Sequence, residues 1–207
     1  MLQVFGNFDR ALIEYARAET LLGDSKEGDE SRLDRAMCAF YDGDIPWAKT
    51  QLEVLLKSTS KEIANDALEN ALLIAANSVE DTLYEGLQIL RKPMLLEVMG
   101  QKQEALQAYQ RAEKVLIANE VYDDLLLKKG KLELELGLNE TAANTFLILQ
   151  NAAGEGMWKQ EAYFYYAKAL FNLQSLQAKD AVETYLLKFP NGFYTEKART
   201  MYRTFAT

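Results

Sequence analysis

The feature that most constrains this chain is a glycine followed five residues later by an alanine. It occurs as GNFDRA (6–11), GDIPWA (43–48), GQKQEA (100–105) and GLNETA (137–142). A fifth version, LQAKDA (176–181), keeps the alanine without the glycine. The steps between the alanines are 37, 57, 37 and 39 residues. Self-similarity at such a period predicts stacked supersecondary units. Four residues after the alanines stand Tyr15, Leu52, Tyr109, Phe146 and Tyr185. A small and a large residue at i and i+4 share one helix face, so the alanine admits a neighbouring helix and the larger side chain fills the gap beside it. The glycine ends the preceding helix, where a left-handed residue costs least. Each hexad is therefore a helix end, a turn and the next helix start. In GDIPWA, Asp44 caps the new helix and Pro46 falls in its first turn, where a missing N–H does little harm.

On this register helices are predicted near 8–22, 28–41, 45–58, 61–77, 80–99, 102–118, 120–136, 139–151, 157–174, 177–189 and 193–205. The short loops suit antiparallel neighbours, and the whole chain, 1–207, is expected to be one repeat domain. The long step of 57 leaves room for one extra helix, either 61–77 or 80–99, with Pro93 expected to break or kink the second. The last segment, 193–205, is expected to cap the array, with Phe193, Ala198, Met201, Tyr202 and Phe205 as its apolar positions.

These pairs resemble the tetratricopeptide repeat, whose pattern includes a glycine before the turn and an A-x₃-F pair in the second helix. Ala11/Tyr15, Ala105/Tyr109, Ala142/Phe146 and Ala181/Tyr185 carry the resemblance. Gly130 falls where the family places its first-helix glycine, and Ala36 and Ala167 serve similarly. The first-helix tryptophan is absent, Leu52 replaces the aromatic, and the steps exceed the family period of about 34. The closing stretch, AKDAVETYLLKFPNGFYTEKARTMYRTF, resembles the last repeats of long bacterial tetratricopeptide proteins and of cell-envelope lipoproteins. The resemblance implies an all-α, right-handed α-solenoid of about ten to eleven antiparallel helices in degenerate pairs, in the bacterial cytoplasm or periplasm. It also implies a concave groove lined by the first helices. Carried over by position, the groove takes Met37 and Tyr41, then Leu127 and Lys131, then Phe164 and Lys168. A groove of this kind suits a peptide, a helix or a chain terminus.

Composition narrows the chemistry. The 207 residues carry a net charge of −8, without the basic footprint of a nucleic-acid binder or of a protein held on an anionic membrane. No apolar run is long enough to span a bilayer, so direct membrane insertion is not expected. There is no histidine, the commonest general base and metal ligand, and Cys38 is the one cysteine. Cys38 lies in AMCAF and reads as a packing residue. Asp123/Asp124 and Glu133/Glu135 diverge on a helix and read as solvated faces rather than catalytic dyads. Asp24, Glu27, Asp29 and Glu30 lack the alternation of a calcium loop and read as a flexible surface loop. Asn139-Glu140-Thr141, formally a glycosylation sequon, reads as incidental. No phosphate-cradling glycine motif occurs. No enzyme, metal or cofactor is expected.

Two places suggest contacts. GNFDRA should join two helices, yet only five residues precede it. Phe8, Leu12 and Tyr15 are therefore expected at an open N-terminal edge, covered by upstream repeats of a longer chain or by a second copy. In YFYY (163–166), Tyr163 and Tyr166 take inter-helix positions on this register, Phe164 and Tyr165 turn to the groove and the outside, and the run packs against the cap. The first expectation for function is a non-catalytic scaffold for a protein or peptide partner, in envelope assembly if the lipoprotein likeness holds. The alternative is a small-ligand or glycan-binding module, which would use Trp47 or Trp158 at a groove.

Overall fold

The computed structural model describes residues 7–58, 61–78, 81, 83–152 and 156–206. Among these the chain is all-α, with eleven α-helices, a closing 3-10 turn at Thr204–Ala206 and no strand. The helices are α1 (Phe8–Leu22), α2 (Lys26–Asp42), α3 (Ile45–Ser58), α4 (Lys61–Ala76), α5 (Glu85–Val98), α6 (Lys102–Leu116), α7 (Tyr122–Glu135), α8 (Asn139–Ala152), α9 (Lys159–Asn172), α10 (Ala178–Lys188) and α11 (Thr195–Arg203). Four of the helices that follow a hexad turn, α1, α3, α6 and α8, begin at the expected residue. The turn chemistry explains this. Gly43 is left-handed at φ 112°, its N–H reaches back to Ala39 and Phe40, and Asp44 Oδ1 accepts the Trp47 N–H at 3.2 Å. Gly137 repeats the conformation at φ 75°. The worn fifth turn has no glycine, and there Gln174 takes the left-handed place at φ 54°.

Pro93 does not end its helix: α5 runs through it, and the proline is buried. The expected start of that helix near 80 is not met. Tyr84 is left-handed (φ 58°), and α5 opens only at Glu85. Residues 79, 80 and 82 lie outside the described part, as does Gly6 of the first hexad.

The chain forms two compact units, Met1–Ala108 and Tyr109–Thr207, and the boundary falls within α6. In the first, α2 packs between α1 and α3, α3 packs on α4, and α2 also touches α4 and α5. Ala11, Ala48 and Leu52 are almost completely buried, as is Ala36. Polar bonds then fix both ends of α2. At its C-terminus the Arg91 guanidinium donates to the Tyr41 carbonyl and Gln88 Nε2 donates to Gly43 O at 2.9 Å, while Arg91 Nε holds Gln88 Oε1 at 2.7 Å. A cation is favourable beside those carbonyls because the helix dipole is negative there. At its N-terminus Ser25 Oγ accepts the Gly28 N–H, and Glu27 and Asp29 occupy the first turn, where negative charge is favoured. Glu27, Asp29 and Glu30 thus lie in a helix rather than a loop, while Asp24 stays in the exposed turn before it. Asp29 is buried against Arg32, which also bonds Gly23 O at 3.1 Å and Glu19 at 3.3 Å.

In the second unit, α7, α8, α9, α10 and α11 pack each on the next, and α7 also touches α9. Ala142 and Phe146 are completely buried, and Phe146 lies over Gly130: a Cβ on that glycine would come within 2.6 Å of the Phe146 ring. A buried cluster of Phe164, Ala167, Val182, Tyr185, Tyr194 and Ala198 ties α9, α10 and α11 together. Here the aromatic run departs from its expected register. Phe164 is buried rather than turned outward, and its ring stacks on Tyr194 at 4.3 Å. Phe193, expected in the cap's apolar face, is 83% exposed, and Tyr194 is buried in its place. The cause is the turn before α11. Gln160 Oε1 accepts the Phe193 N–H at 2.8 Å, and Tyr185 Oη accepts the Tyr194 N–H at 3.1 Å, so the helix starts at Thr195 with Tyr194 already inside. YFYY does pack against the cap, as expected: Tyr163 and Tyr165 border the same cluster.

Candidate functional site

The strongest candidate site lies in the second unit, between α7 and α9. Lys131, Leu134 and Glu135 occupy positions i, i+3 and i+4 on α7, and Tyr165, Lys168 and Asn172 occupy i, i+3 and i+7 on α9. Each set forms one helix stripe, and the two stripes line a shared cleft of about 280 Å³. Lys131 Nζ lies 5.3 Å from the Tyr165 ring centroid and Lys168 Nζ lies 5.8 Å from it, so two cations share one aromatic ring within cation–π range.

The ring itself is firmly held. It stacks on Phe146 at 5.3 Å and meets Phe164 and Tyr194 edge-on at 5.3 and 5.6 Å. A tyrosine packed on three rings has little rotamer freedom left to lose when a ligand binds, which favours recognition. Asn172 at the cleft's end donates to Asn139 Oδ1 at 3.0 Å, which engages the sequon asparagine at the start of α8. Burial raises the pKa of Glu161, one turn before Tyr165, while Lys131 opposes the rise. The cleft thus presents two cations, an aromatic ring and an amide side chain along one line of lining residues.

The structure places the expected groove residues unevenly. Lys131 and Lys168 come together in the cleft. Leu127 and Phe164, each one turn before its lysine, are buried at 4% exposure. Met37 and Tyr41 belong to α2 in the first unit, where Met37 is half-buried and Tyr41 buried. At the expected N-terminal edge, Phe8, Leu12 and Tyr15 are half-buried, and Cys38 Sγ lies 3.8 Å from Phe8 O. The exposed apolar side chains of α1 are instead Ile13, Leu21 and Leu22. Tyr165, the centre of the cleft, was legible only as an outward-facing member of YFYY. The signal that would have found it is its i, i+3 spacing to Lys168.

The acidic pairs diverge as expected, but they are not both solvated. Asp124 is buried and accepts the Trp158 Nε1–H at 3.1 Å. Glu133 is buried where Thr145 donates to it at 2.7 Å, beside Lys129, which pairs with Glu113 at 2.7 Å. Partners supplied by neighbouring helices make that burial tolerable. Among the described residues no group of three or more His, Cys, Asp or Glu side chains could hold a metal ion, and no helix is long and apolar enough to cross a membrane. Cys38 is fully buried.

Trp47, the other aromatic of interest, lies in the first unit with the Arg35 guanidinium 5.0 Å over its ring. No family model matches the chain, and no curated protein matches it.

Proposed function

We propose that this chain is a non-catalytic interaction scaffold that receives a peptide or helix of a partner protein in the cleft between α7 and α9. The single observation that carries this reading is the meeting of Lys131 and Lys168 over the immobilised Tyr165 ring, on two helices 37 residues apart in register. The reading takes the helix pairs as degenerate tetratricopeptide-like units of a right-handed solenoid, with α7 and α9 as successive first helices. The close fit of Gly130 under Phe146 supports that register, because the family places a small residue there. A role in envelope assembly rests on the resemblance of the closing stretch alone.

A second reading has one observation in its favour. Trp47 borders two clefts of the first unit, of about 390 and 230 Å³, which is the setting a small-ligand or glycan module would use.

The test compares affinity purification of wild type with a Lys131→Glu/Lys168→Glu variant whose helicity is intact. Both lysines are partly exposed, so the reversal should leave the fold in place. A partner held by wild type, lost by the variant and shown to bind directly with purified components is the expected result. Equal capture by both chains would move the site elsewhere. Quenching of Trp47 emission by a sugar, with no protein captured, would favour the second reading.

A further inference from the structure

The first unit has an interface of its own. Leu12, Ile13 and Ala16 of α1 face Ala39 of α2 and Trp47 of α3 across the cleft of about 390 Å³, and Asp42 and Asp44 stand at its rim. Ile13 is 54% exposed, and both aspartates are exposed. The floor is thus apolar and open, and the end of α2 with the turn after it brings the acids to its edge.

The charge at this edge has a definite sign. Arg35 also lines the cleft, but its Nη1 pairs with Glu19 at 2.7 Å and its guanidinium covers Trp47, so its charge is already engaged. Asp42 is felt by Arg91, and Asp44 caps α3 through Oδ1. Residues 1–108 carry eleven basic and nineteen acidic side chains, so the surrounding field is negative as well. A second copy docking the same face on itself would bring acidic rim against acidic rim.

We propose that this cleft docks a basic amphipathic helix of a partner protein, with apolar side chains seated on Leu12, Ile13 and Trp47 and lysines or arginines against Asp42 and Asp44. Such a helix supplies an apolar stripe at i, i+3, i+4 spacing with cations along its border, which matches floor and rim together. The site is separate from the α7/α9 cleft and does not depend on how that cleft is used.

The experiment follows Trp47 emission in a Trp158→Phe chain during titration with a synthetic helix of leucines at i, i+3, i+4 spacing and lysines elsewhere. The control peptide carries glutamate in place of lysine. The expected result is a Trp47 response to the lysine peptide only, weakening as salt rises. Asp42→Asn/Asp44→Asn should loosen binding roughly three- to tenfold, because asparagine still caps α3. Ile13→Glu should weaken it by more than about tenfold while far-ultraviolet circular dichroism stays unchanged. The Lys131→Glu/Lys168→Glu chain should respond as before. No response, an equal response to both peptides, a response kept in the Ile13→Glu chain, or one lost in the Lys131→Glu/Lys168→Glu chain would overturn the proposal. So would a dimer seen by light scattering that Ile13→Glu disperses, since a second copy would then be the occupant.

Discussion

Residues 109–207 carry twelve basic and twelve acidic side chains, so the first unit, with eleven and nineteen, holds the whole net charge of −8. Aromatic residues run the other way, with seven in the first unit and fifteen in the second. The same turn hexad therefore builds two differently fastened helix sets. In the first, guanidiniums and amides bond helix ends to one another: Arg91 and Gln88 at the end of α2, Arg32 and Arg35 along its start. In the second, rings interlock from Phe146 through Tyr165 and Phe164 to Tyr194. The positions four after Ala48 and Ala142 show the contrast, with Leu52 in one unit and Phe146 in the other, although Tyr15 keeps the aromatic in the first. Leu52 and Phe146 are both fully buried.

Those two positions also give the largest expected effect. Phe146→Ala should cost about 3–5 kcal/mol of stability, and Leu52→Ala about 2–5 kcal/mol, measured by denaturant unfolding. The contrast between the units breaks if Leu52→Ala proves clearly the more damaging. Gly130→Ala comes next, at about 1–3 kcal/mol, because its Cβ would press into the Phe146 ring. Adding Phe146→Leu should make the pair less than additive, since the smaller side chain yields room. In the first unit, Arg91→Met should cost about 1–3 kcal/mol by stripping the Tyr41 carbonyl of its donor. Hydrogen exchange should localise that loss to the end of α2.

Protonation sharpens the comparison further. Burial, the largest influence on Glu133, raises its pKa above the ordinary value of 4.5, while Thr145 and Lys129 hold it back. A carboxyl raised in the folded state contributes stability that is full below the unfolded pKa and is lost as pH rises through the folded pKa. Glu133→Gln should therefore raise the thermal midpoint at pH 7, by less than about 1 kcal/mol in stability, and the gain should shrink towards pH 4.5. Glutamine keeps an acceptor for Thr145, and Lys129 keeps Glu113. A larger gain in acid than at neutrality would contradict the assignment. The smallest effect belongs to the worn turn. Gln174→Gly should stabilise by about 0.5–1 kcal/mol, because glycine takes φ 54° without the Cβ clash.

The turns explain how much of the fold was legible. A hexad encodes its own geometry within six residues, so helix starts at 45, 102 and 139 could be read off locally. Burial of the closing aromatics could not. Whether Phe193 or Tyr194 enters the core depends on Gln160, more than thirty residues earlier, taking the Phe193 N–H. Asp124 and Glu133 looked solvated because their partners, Trp158 and Thr145, come from other helices. The candidate site was half legible for the same reason. The stripe on each helix fixes Lys131 and Lys168, but Tyr165 becomes a platform only when Phe146 and Tyr194 close on it from α8 and from the turn before α11.

The most direct measurement on the scaffold reading is photo-crosslinking in source lysate from a benzophenone side chain placed at the cleft position 134, beside the same probe at the exposed position 183 on α10. The account predicts one protein partner crosslinked from 134, absent from 183, and competed away by unlabelled wild type but not by the Lys131→Glu/Lys168→Glu chain. Crosslinks equal from both positions, or none from 134 while wild type still captures a partner, would contradict it.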